Sequence, residues 1–432
     1  MVKMDFIKEA LRQNSHWDAG IVETARMEGK FVERSAYFEL EKSAEKKFIT
    51  ILKGMRRTGK SVLAKKLMEK SIQNGTGARQ IGWFEFDRAM NAKPEDLDAV
   101  ILFFESRGVK LAVFDEIHFV PMWQDILKRH YDRSGMKFLA TGSSALELDR
   151  RSSESLAGRF ELVELKPFSF EESLALKGIR LPKSESRMAR EEGSLGAAAA
   201  AYMLEGGLPE AISMDAEQRK KYIKESLLDP LFYKDLPFVF AQARPELLHG
   251  TLELLCATSG STYQAGNIAQ VLGCSLPAAS AQIEVLERSL LVRTMLNKTP
   301  SIVKQKRTAK KIVFSDNGML AALNENASLG ALAENAAINA LGAKMFWKDA
   351  QGREIDLLLP ERKIALEVKY QESISSHDER HLRYFVERNA GWKGAVVTKD
   401  KEEKGEYPWI PLWKLLLLKE KSPELLSPKP ID

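Results

Sequence analysis

A short glycine-containing loop in this chain has residue types suited to binding phosphate. Residues 54–61 read GMRRTGKS, a full match to the pattern G-x-x-x-x-G-K-[ST]. Glycines let backbone N–H groups turn toward a phosphate, and the N-terminus of a following helix adds positive potential. Lys60 can neutralise the outer phosphates, and the Ser61 hydroxyl is a candidate magnesium ligand. The predicted cofactors are ATP and Mg²⁺, and the predicted nucleotide-binding residues are Gly54, Met55, Arg56, Arg57, Thr58, Gly59, Lys60, Ser61, Val62 and Ser143.

Two adjacent acids could complete this site. Asp115 and Glu116 end the apolar run LAVFDE. An acid in this position holds magnesium directly or through water, and the next acid orients and polarises the attacking water. We therefore predict that Lys60, Asp115 and Glu116 are catalytic, and that Ser61 and Asp115 ligate the metal. The alternative is a pair of solvated acids at a strand end. His118 extends the motif to DEIH, as in helicase signatures, but no other helicase motif accompanies it.

A third polar segment, ATGSSA at 140–145, follows another apolar run. Ser143 or Ser144 could sense the terminal phosphate. The alternative is that these serines cap a helix.

Alternating short apolar runs and amphipathic stretches are expected to position these residues. The predicted strands are Lys47–Leu52, Gln80–Phe86, Lys110–Phe114, Lys137–Ala140 and Phe160–Leu165. The predicted helices between them are Ser61–Gln73, Pro94–Glu105 and Met122–Asp132. This alternation predicts an α/β fold with a parallel sheet covered on both faces.

Residues 246–325 show a different pattern. Three predicted helices, Glu246–Ala257, Gln264–Leu272 and Leu276–Ser289, precede two strands, Leu290–Leu296 and Lys311–Ser315. This order predicts a winged helix-turn-helix, with Leu276–Ser289 as the recognition helix. That helix offers Gln282 and Arg288 but few cations. The basic wing, Lys304, Lys306, Arg307, Lys310 and Lys311, could contact duplex phosphates or could simply be solvated.

Length and composition define the class of protein. A chain of 432 residues is expected to form roughly two to four domains. With 44% hydrophobic and 29% charged residues it has a globular composition. No run approaches the roughly 20 apolar residues of a membrane span, and the first residues predict no secretory peptide. Two isolated cysteines favour a reducing, cytoplasmic location. The net charge of +5 permits a nucleic-acid partner without requiring one.

Taken in order, the motifs GMRRTGKS, FDEIH, ATGSSALEL, LAGRFELVELKPFSFEE and EGGLPEA resemble those of prokaryotic AAA+ ATPases that carry a poorly characterised C-terminal region. The resemblance implies an AAA+ core (46–170) followed by a helical lid or linker (171–245). Together with the sequence pattern this gives five segments, the others being an N-terminal helical segment (1–45), the winged helix (246–325) and a C-terminal domain (326–432). The resemblance also implies that Arg159 reaches the outer phosphate, in its own subunit or a neighbouring one. The alternative is an ordinary surface arginine.

The same resemblance implies a C-terminal α/β domain similar to PD-(D/E)xK nucleases and restriction endonucleases. Its candidate catalytic residues are Glu334, Asp356, Glu367 and Lys369, with Asp356 and Glu367 as metal ligands. Residues two apart on a strand face the same side, so Glu367 and Lys369 are expected to project together. The acids could hold magnesium while Lys369 stabilises or deprotonates a water. The alternative is a domain that keeps the fold and has lost catalysis.

These expectations lead to one principal hypothesis and one alternative. The principal hypothesis is a magnesium-dependent ATPase whose nucleotide state drives C-terminal domains that act on nucleic acid, with DNA cleavage as an open question. The alternative is a nucleotide-regulated switch for protein partners with a catalytically silent nuclease-like domain. The candidate partners are DNA, a protein and further copies of the chain, with no membrane.

Overall fold

The computed structural model describes residues 5–22, 31–46, 48–87, 92–142, 158–182, 188, 190–299 and 309–418. The chain forms two compact units. One comprises residues 1–166, 238–241 and 288–290, and the other comprises 167–237, 242–287 and 291–432. Within the described ranges, no helix combines the length and apolar character needed to cross a membrane.

The first unit contains six helices and five strands among its described residues. The helices are α1 (Phe6–Gln13), α2 (His16–Ala19), α3 (Ser35–Glu45), α4 (Lys60–Gln73), α5 (Pro94–Ser106) and α6 (Trp123–Arg133). The strands are β1 (Ile49–Gly54), β2 (Ile81–Glu85), β3 (Leu111–Asp115), β4 (Lys137–Gly142) and β5 (Phe160–Leu165). The five strands and three helices predicted for this region are confirmed, with ends that differ by one or two residues.

The five strands form one parallel sheet in the order β2-β3-β4-β1-β5. The strands β1, β3 and β4 are buried along nearly their whole length because helices and loops cover both faces of the sheet. An aromatic cluster that includes Phe84, Phe104, Phe114 and Phe138 fills one side. The order of strands places β4 between β1 and β3, so the carboxyl ends of these three strands lie side by side.

The second unit begins with helices that include two π-helical segments, Tyr222–Leu228 and Leu231–Asp235. Its helices are α7 (Phe170–Leu176), α8 (Glu192–Glu205), α9 (Ala216–Lys221), α10 (Leu236–Val239, whose last two residues belong to the first unit), α11 (Pro245–Ala257), α12 (Ala265–Val271), α13 (Leu276–Arg288), α14 (Asn317–Leu323), α15 (Leu329–Leu341), α16 (Arg380–Arg388) and α17 (Leu412–Leu417). Its strands are β6 (Thr262–Tyr263), β7 (Val292–Asn297), β8 (Lys310–Phe314), β9 (Met345–Lys348), β10 (Glu354–Leu359), β11 (Ile364–Lys369), β12 (Lys393–Thr398) and β13 (Trp409–Pro411).

These eight strands form one mixed sheet in the order β13-β12-β11-β10-β9-β7-β8-β6. The strands β7 and β8 form the antiparallel pair expected after three helices. However, β7 also pairs in parallel with β9, with Leu296 opposite Met345. The segment 246–325 therefore shares a continuous sheet with residues 326–432. The separate boundary at 325/326 stays a prediction.

Two glycines end helix α8 and make room for a close backbone approach. Gly206 has a φ of 75°, which an L side chain rarely adopts. Gly207 donates its N–H to Asp316 Oδ2 at 2.6 Å. A Cβ on Gly207 would overlap the Phe168 carbonyl oxygen. The EGGLPEA motif is thus explained by packing inside the second unit.

Candidate functional site

The phosphate-binding pattern lies where it was predicted, between the end of β1 and the start of α4. Gly59 precedes the helix with a φ of 94°. A Cβ on Gly54 would overlap the Leu165 carbonyl oxygen, so the loop requires glycine there. The Lys60 side chain is buried, with Nζ 3.1 Å from Gly54 O and 3.3 Å from Met55 O. These contacts hold the ammonium against the loop that would surround a phosphate.

The N-terminal segment supports this loop through Arg34. The Arg34 guanidinium is buried and donates to Thr58 O at 2.9 Å and to Lys166 O at 2.6 Å. The Thr58 hydroxyl donates to Met55 O at 2.8 Å. Arg34 therefore ties the phosphate loop to the end of β5. Its role was not predicted, because nothing in the local sequence around Arg34 indicates a partner 24 residues away.

Asp115 ends β3 and is almost fully buried. Its Oδ1 accepts a hydrogen bond from the Thr141 hydroxyl. Burial, with the charge of Glu116 in addition, raises the pKa of Asp115 to about 6, while hydrogen bonds from Thr141 and Ser61 act in the opposite direction. Ser61 and Asp115 thus offer two neighbouring oxygen ligands of the kind Mg²⁺ prefers, and these residues fit the ion.

Glu116 adopts a left-handed backbone conformation with a φ of 51°. This turn directs the side chain toward Lys60, whose Nζ lies 3.7 Å from Glu116 Oε1. His118 Nδ1 lies 3.2 Å from Glu116 Oε2, and the His118 side chain is buried. One oxygen of the carboxylate thus faces the loop lysine and the other lies near the His118 ring.

Thr141 was not among the predicted site residues, although it lies in the predicted ATGSSA segment. It is fully buried near the end of β4, and besides its bond to Asp115 it accepts the Glu116 N–H at 3.3 Å. Because β4 lies between β1 and β3, a hydroxyl at its carboxyl end reaches both acids. A threonine at a strand end is the only local signal. Ser143, the predicted phosphate sensor, lies outside the described residues.

Arg159 lies at the other end of the sheet. It directly precedes β5, whose first residue Phe160 is opposite Ile49 at the start of β1. The phosphate loop follows Gly54, five residues further along β1, or about 16 Å at ~3.3 Å per residue. Arg159 Nε instead pairs with Asp132 Oδ1 at 2.9 Å. The expectation that Arg159 reaches the nucleotide of its own subunit is therefore wrong, whereas contact with a neighbouring subunit stays a prediction.

The second unit brings its predicted acids to one place. Lys369 Nζ is 2.7 Å from Glu367 Oε1, as expected for residues two apart on β11. Asp356 on β10 accepts the Val368 N–H at 2.8 Å through Oδ2. Burial first, and then the charge of Asp356, raise the pKa of Glu367 and of Glu334 to about 8 each.

This acidic cluster also contains three charged residues that were not predicted. Glu354 lies two residues before Asp356 on β10, and Lys348 Nζ pairs with Glu354 Oε2 at 2.7 Å. Lys311, from β8, places its ammonium 2.7 Å from Glu334 Oε1, against Glu354 Oε1 and 3.6 Å from Asp356 Oδ1. Burial alone would lower the pKa of Lys311, but these acids raise it above its ordinary value.

The expectation that Lys311 belongs to an exposed basic wing is wrong, since its side chain is only 2% exposed. Strand periodicity could have identified Glu354, but not Lys311, which is distant in sequence. The wing residues Lys304, Lys306 and Arg307 lie outside the described part of the chain. Within the described ranges, no group of three or more His, Cys, Asp and Glu side chains is arranged to hold a metal ion. The metal ligands Asp356 and Glu367 stay a prediction.

The predicted recognition helix corresponds to α13, and one of its two polar candidates, Gln282, faces inward. Gln282 is 1% exposed. Its side chain accepts the Arg244 N–H at 3.1 Å and donates to Gln242 O at 3.0 Å. The Gln282 amide is therefore used in hydrogen bonds within the second unit.

Comparison with known proteins supports the assignment of the first unit. Residues 46–174 match the family described as AAA domain (AAA_14). Residues 197–330 and 322–415 match two families described as domains of unknown function, DUF8612 and DUF4143. The last two matches overlap at 322–330, within the second unit.

Relatives occur in archaea and bacteria. The chain is 30% identical over 189 residues to the uncharacterized protein MJ1544 of Methanocaldococcus jannaschii, covering 44% of this chain and 42% of that protein. It is 25% identical over 303 residues to the uncharacterized protein Rv2008c of Mycobacterium tuberculosis, covering 69% of this chain and 62% of that protein. The chain thus spans about half the length of these relatives.

Among solved structures, the Walker-type ATPase PABY2304 of Pyrococcus abyssi aligns with a TM-score of 0.43 at 15% identity, over 70% of this chain and 99% of that chain. The Aeropyrum pernix Orc1 protein, solved in complex with DNA, aligns with a TM-score of 0.34 at 15% identity, over 71% and 96%. Scores below 0.5 say nothing about what this chain binds. The family match and the geometry of the phosphate loop together give residues 46–174 an AAA-type P-loop fold on a parallel sheet.

Proposed function

We propose that this chain is a magnesium-dependent ATPase. The observation that carries the proposal is the convergence of Lys60, Asp115 and Glu116 at the carboxyl edge of the parallel sheet. Ligands of open α/β sheets bind at this edge. The match of residues 46–174 to the AAA domain family supports the same conclusion.

Each residue has a distinct part in the proposed reaction. Backbone N–H groups of the loop and the N-terminus of α4 bind the phosphates, and Lys60 neutralises the outer ones. Ser61 and Asp115 would hold Mg²⁺, which supplies further charge neutralisation when bound. Glu116 orients and polarises the attacking water, and its carboxylate lies beside the Lys60 ammonium and the His118 ring.

Measured ATP hydrolysis in the presence of Mg²⁺ tests this proposal. Lys60→Ala should abolish turnover while the protein stays folded. Lys66→Ala is a matched control, because Lys66 lies on the same helix but forms a part-buried ion pair with Glu69 at 2.7 Å, away from the loop. If Lys60→Ala hydrolyses ATP as fast as the Lys66→Ala control, the nucleotide site is assigned to the wrong residues.

For the C-terminal half we propose two competing roles. In the first, nucleotide state drives these domains on nucleic acid, with or without cleavage. In the second, the chain is a nucleotide-regulated switch that binds protein partners, and its nuclease-like region is catalytically silent. The buried, internally bonded Gln282 and the lysine among the acids favour the second role.

One assay separates the two roles. ATP turnover is measured with and without single-stranded, duplex and branched DNA, and the same reactions are scored for nicking. Stimulation by DNA would support the first role. Turnover that is indifferent to all three DNAs, without nicking, would support the second.

A further inference from the structure

The Lys311 side chain ends among acids that come from other elements of the second unit. Its ammonium contacts Glu334 on α15 and both Glu354 and Asp356 on β10. The side chain is 2% exposed, and its ammonium also lies 5.5 Å from the centre of the Phe346 ring. The ammonium is thus removed from water and bound by carboxylates.

The buried lysine and the acids around it stabilise one another electrostatically. A buried ammonium is costly unless it is paired, and several carboxylates at short range repel one another unless a cation lies between them. Removing this cation would therefore leave the acids less well compensated, although Lys348 would still pair with Glu354. Lys311 does for these acids what a bound metal ion would do.

One carboxylate oxygen of the cluster has no hydrogen-bond partner among the described residues. The cluster contains four acids and three lysines, namely Glu334, Glu354, Asp356 and Glu367 with Lys311, Lys348 and Lys369. Glu367 is 3% exposed, and within the described structure its Oε2 has no hydrogen-bond partner. An oxygen of this kind beside Asp356 is suited to a cation.

We infer that Lys311 is the built-in cation of a latent divalent-ion site, and that Mg²⁺ or Mn²⁺ binds these acids only when the Lys311 ammonium is removed. Divalent ions of this kind prefer carboxylate oxygens, so the ammonium and the ion compete for the same atoms of Glu334, Glu354 and Asp356. Because Lys311 lies on β8 and the acids lie on α15 and β10, this competition links separate elements of the second unit. The inference does not depend on ATP hydrolysis by the first unit.

Manganese binding to the nucleotide-free, full-length protein tests the inference. Isothermal titration and thermal unfolding compare wild type with Lys311→Met, which keeps an apolar side chain of similar length. Lys311→Met should bind one Mn²⁺ at least about 10-fold more tightly than wild type. Adding Mn²⁺ should raise its melting temperature by more than it raises that of wild type. Adding Asp356→Asn to Lys311→Met should remove this binding, which distinguishes it from ion binding at Asp115 in the first unit.

Lys348→Met is the matched control. Lys348 also pairs with Glu354, but its side chain is 35% exposed and contacts Oε2, whereas Lys311 contacts Oε1. This variant should bind Mn²⁺ no better than wild type. Equal gains from both substitutions would mean that any lost positive charge suffices, and this would overturn the inference.

The Lys311→Met variant leaves buried acids without a counter-ion and could fail to fold. Lys311→Met combined with Glu354→Gln removes one charge of each sign and offers a second route to the same measurement. A folded Lys311 variant without improved Mn²⁺ binding overturns the inference. Wild-type binding of Mn²⁺ that Asp356→Asn abolishes also overturns it, whether or not the variants fold.

Discussion

Replacing Thr141 by valine is the most direct test of how the sheet positions the magnesium-binding acid. Valine keeps the β-branched shape, but it removes the hydroxyl that donates to Asp115 and accepts the Glu116 N–H. A hydrogen bond to a charged group contributes about 1.5–3 kcal/mol. At 1.36 kcal/mol per pKa unit, losing it raises the pKa of Asp115 by about 1–2 units.

The expected change in the pH dependence of activity follows from this rise in the pKa of Asp115. Burial and the neighbouring Glu116 hold the pKa of Asp115 at about 6, and the Thr141 hydrogen bond limits that rise. Magnesium requires the ionised carboxylate, so activity is lost as pH falls through this pKa. In Thr141→Val the loss should begin at higher pH. The expected kcat/KM is about 5- to 50-fold below wild type at pH 6 and within about two-fold at pH 8.5.

The assay is the pH profile of kcat/KM for magnesium ATP, which reports the ionisation of the free enzyme. Thr141→Ser keeps the hydroxyl and should restore the profile. Thr50→Val is a matched control, because Thr50 is also buried in this sheet but its hydroxyl pairs with Ser43 Oγ at 2.9 Å. If Thr141→Val shows the acid limb of wild type while hydrolysing ATP, Thr141 does not set the ionisation of Asp115.

Three further predictions concern other parts of the chain. Glu116→Gln should retain ATP binding and slow hydrolysis about 100-fold or more, because the amide cannot polarise water; a loss of only a few-fold, measured by phosphate release, would assign that role elsewhere. Mixing Arg159→Ala with Lys60→Ala protein should restore part of the ATPase rate if Arg159 acts in a neighbouring subunit, whereas an inactive mixture or a protein that stays monomeric with ATP would exclude this. Gly207→Ala should lower the free energy of unfolding by about 1–3 kcal/mol, because its Cβ would overlap a backbone carbonyl. Gly193→Ala, in an open helical position, should instead raise it by about 0.5–1 kcal/mol, and equal effects in a denaturant titration would contradict this packing argument.

Several features of the protein were determined by local sequence alone. The alternation of apolar runs and amphipathic stretches predicted the five strands and the last three helices of the first unit to within two residues. The phosphate-binding chemistry of loop 54–61 could be predicted locally, because its glycines, Lys60 and Ser61 lie close together in sequence. Glu367 and Lys369 were correctly expected to project together, since strand geometry places residues two apart on the same side.

Other features were decided only by the tertiary structure. No local sequence pattern determines the order of the strands. This order places Thr141 beside Asp115 and Arg159 at the opposite end of the sheet. The contact of Arg34 with the phosphate loop and that of Lys311 with the acids join residues far apart in sequence. From its place in a basic run, Lys311 is predicted to be a solvated wing residue. The tertiary structure buries Lys311 against three acids and makes it an internal counter-ion. A buried charge loses its hydration and must be stabilised by opposite charges nearby.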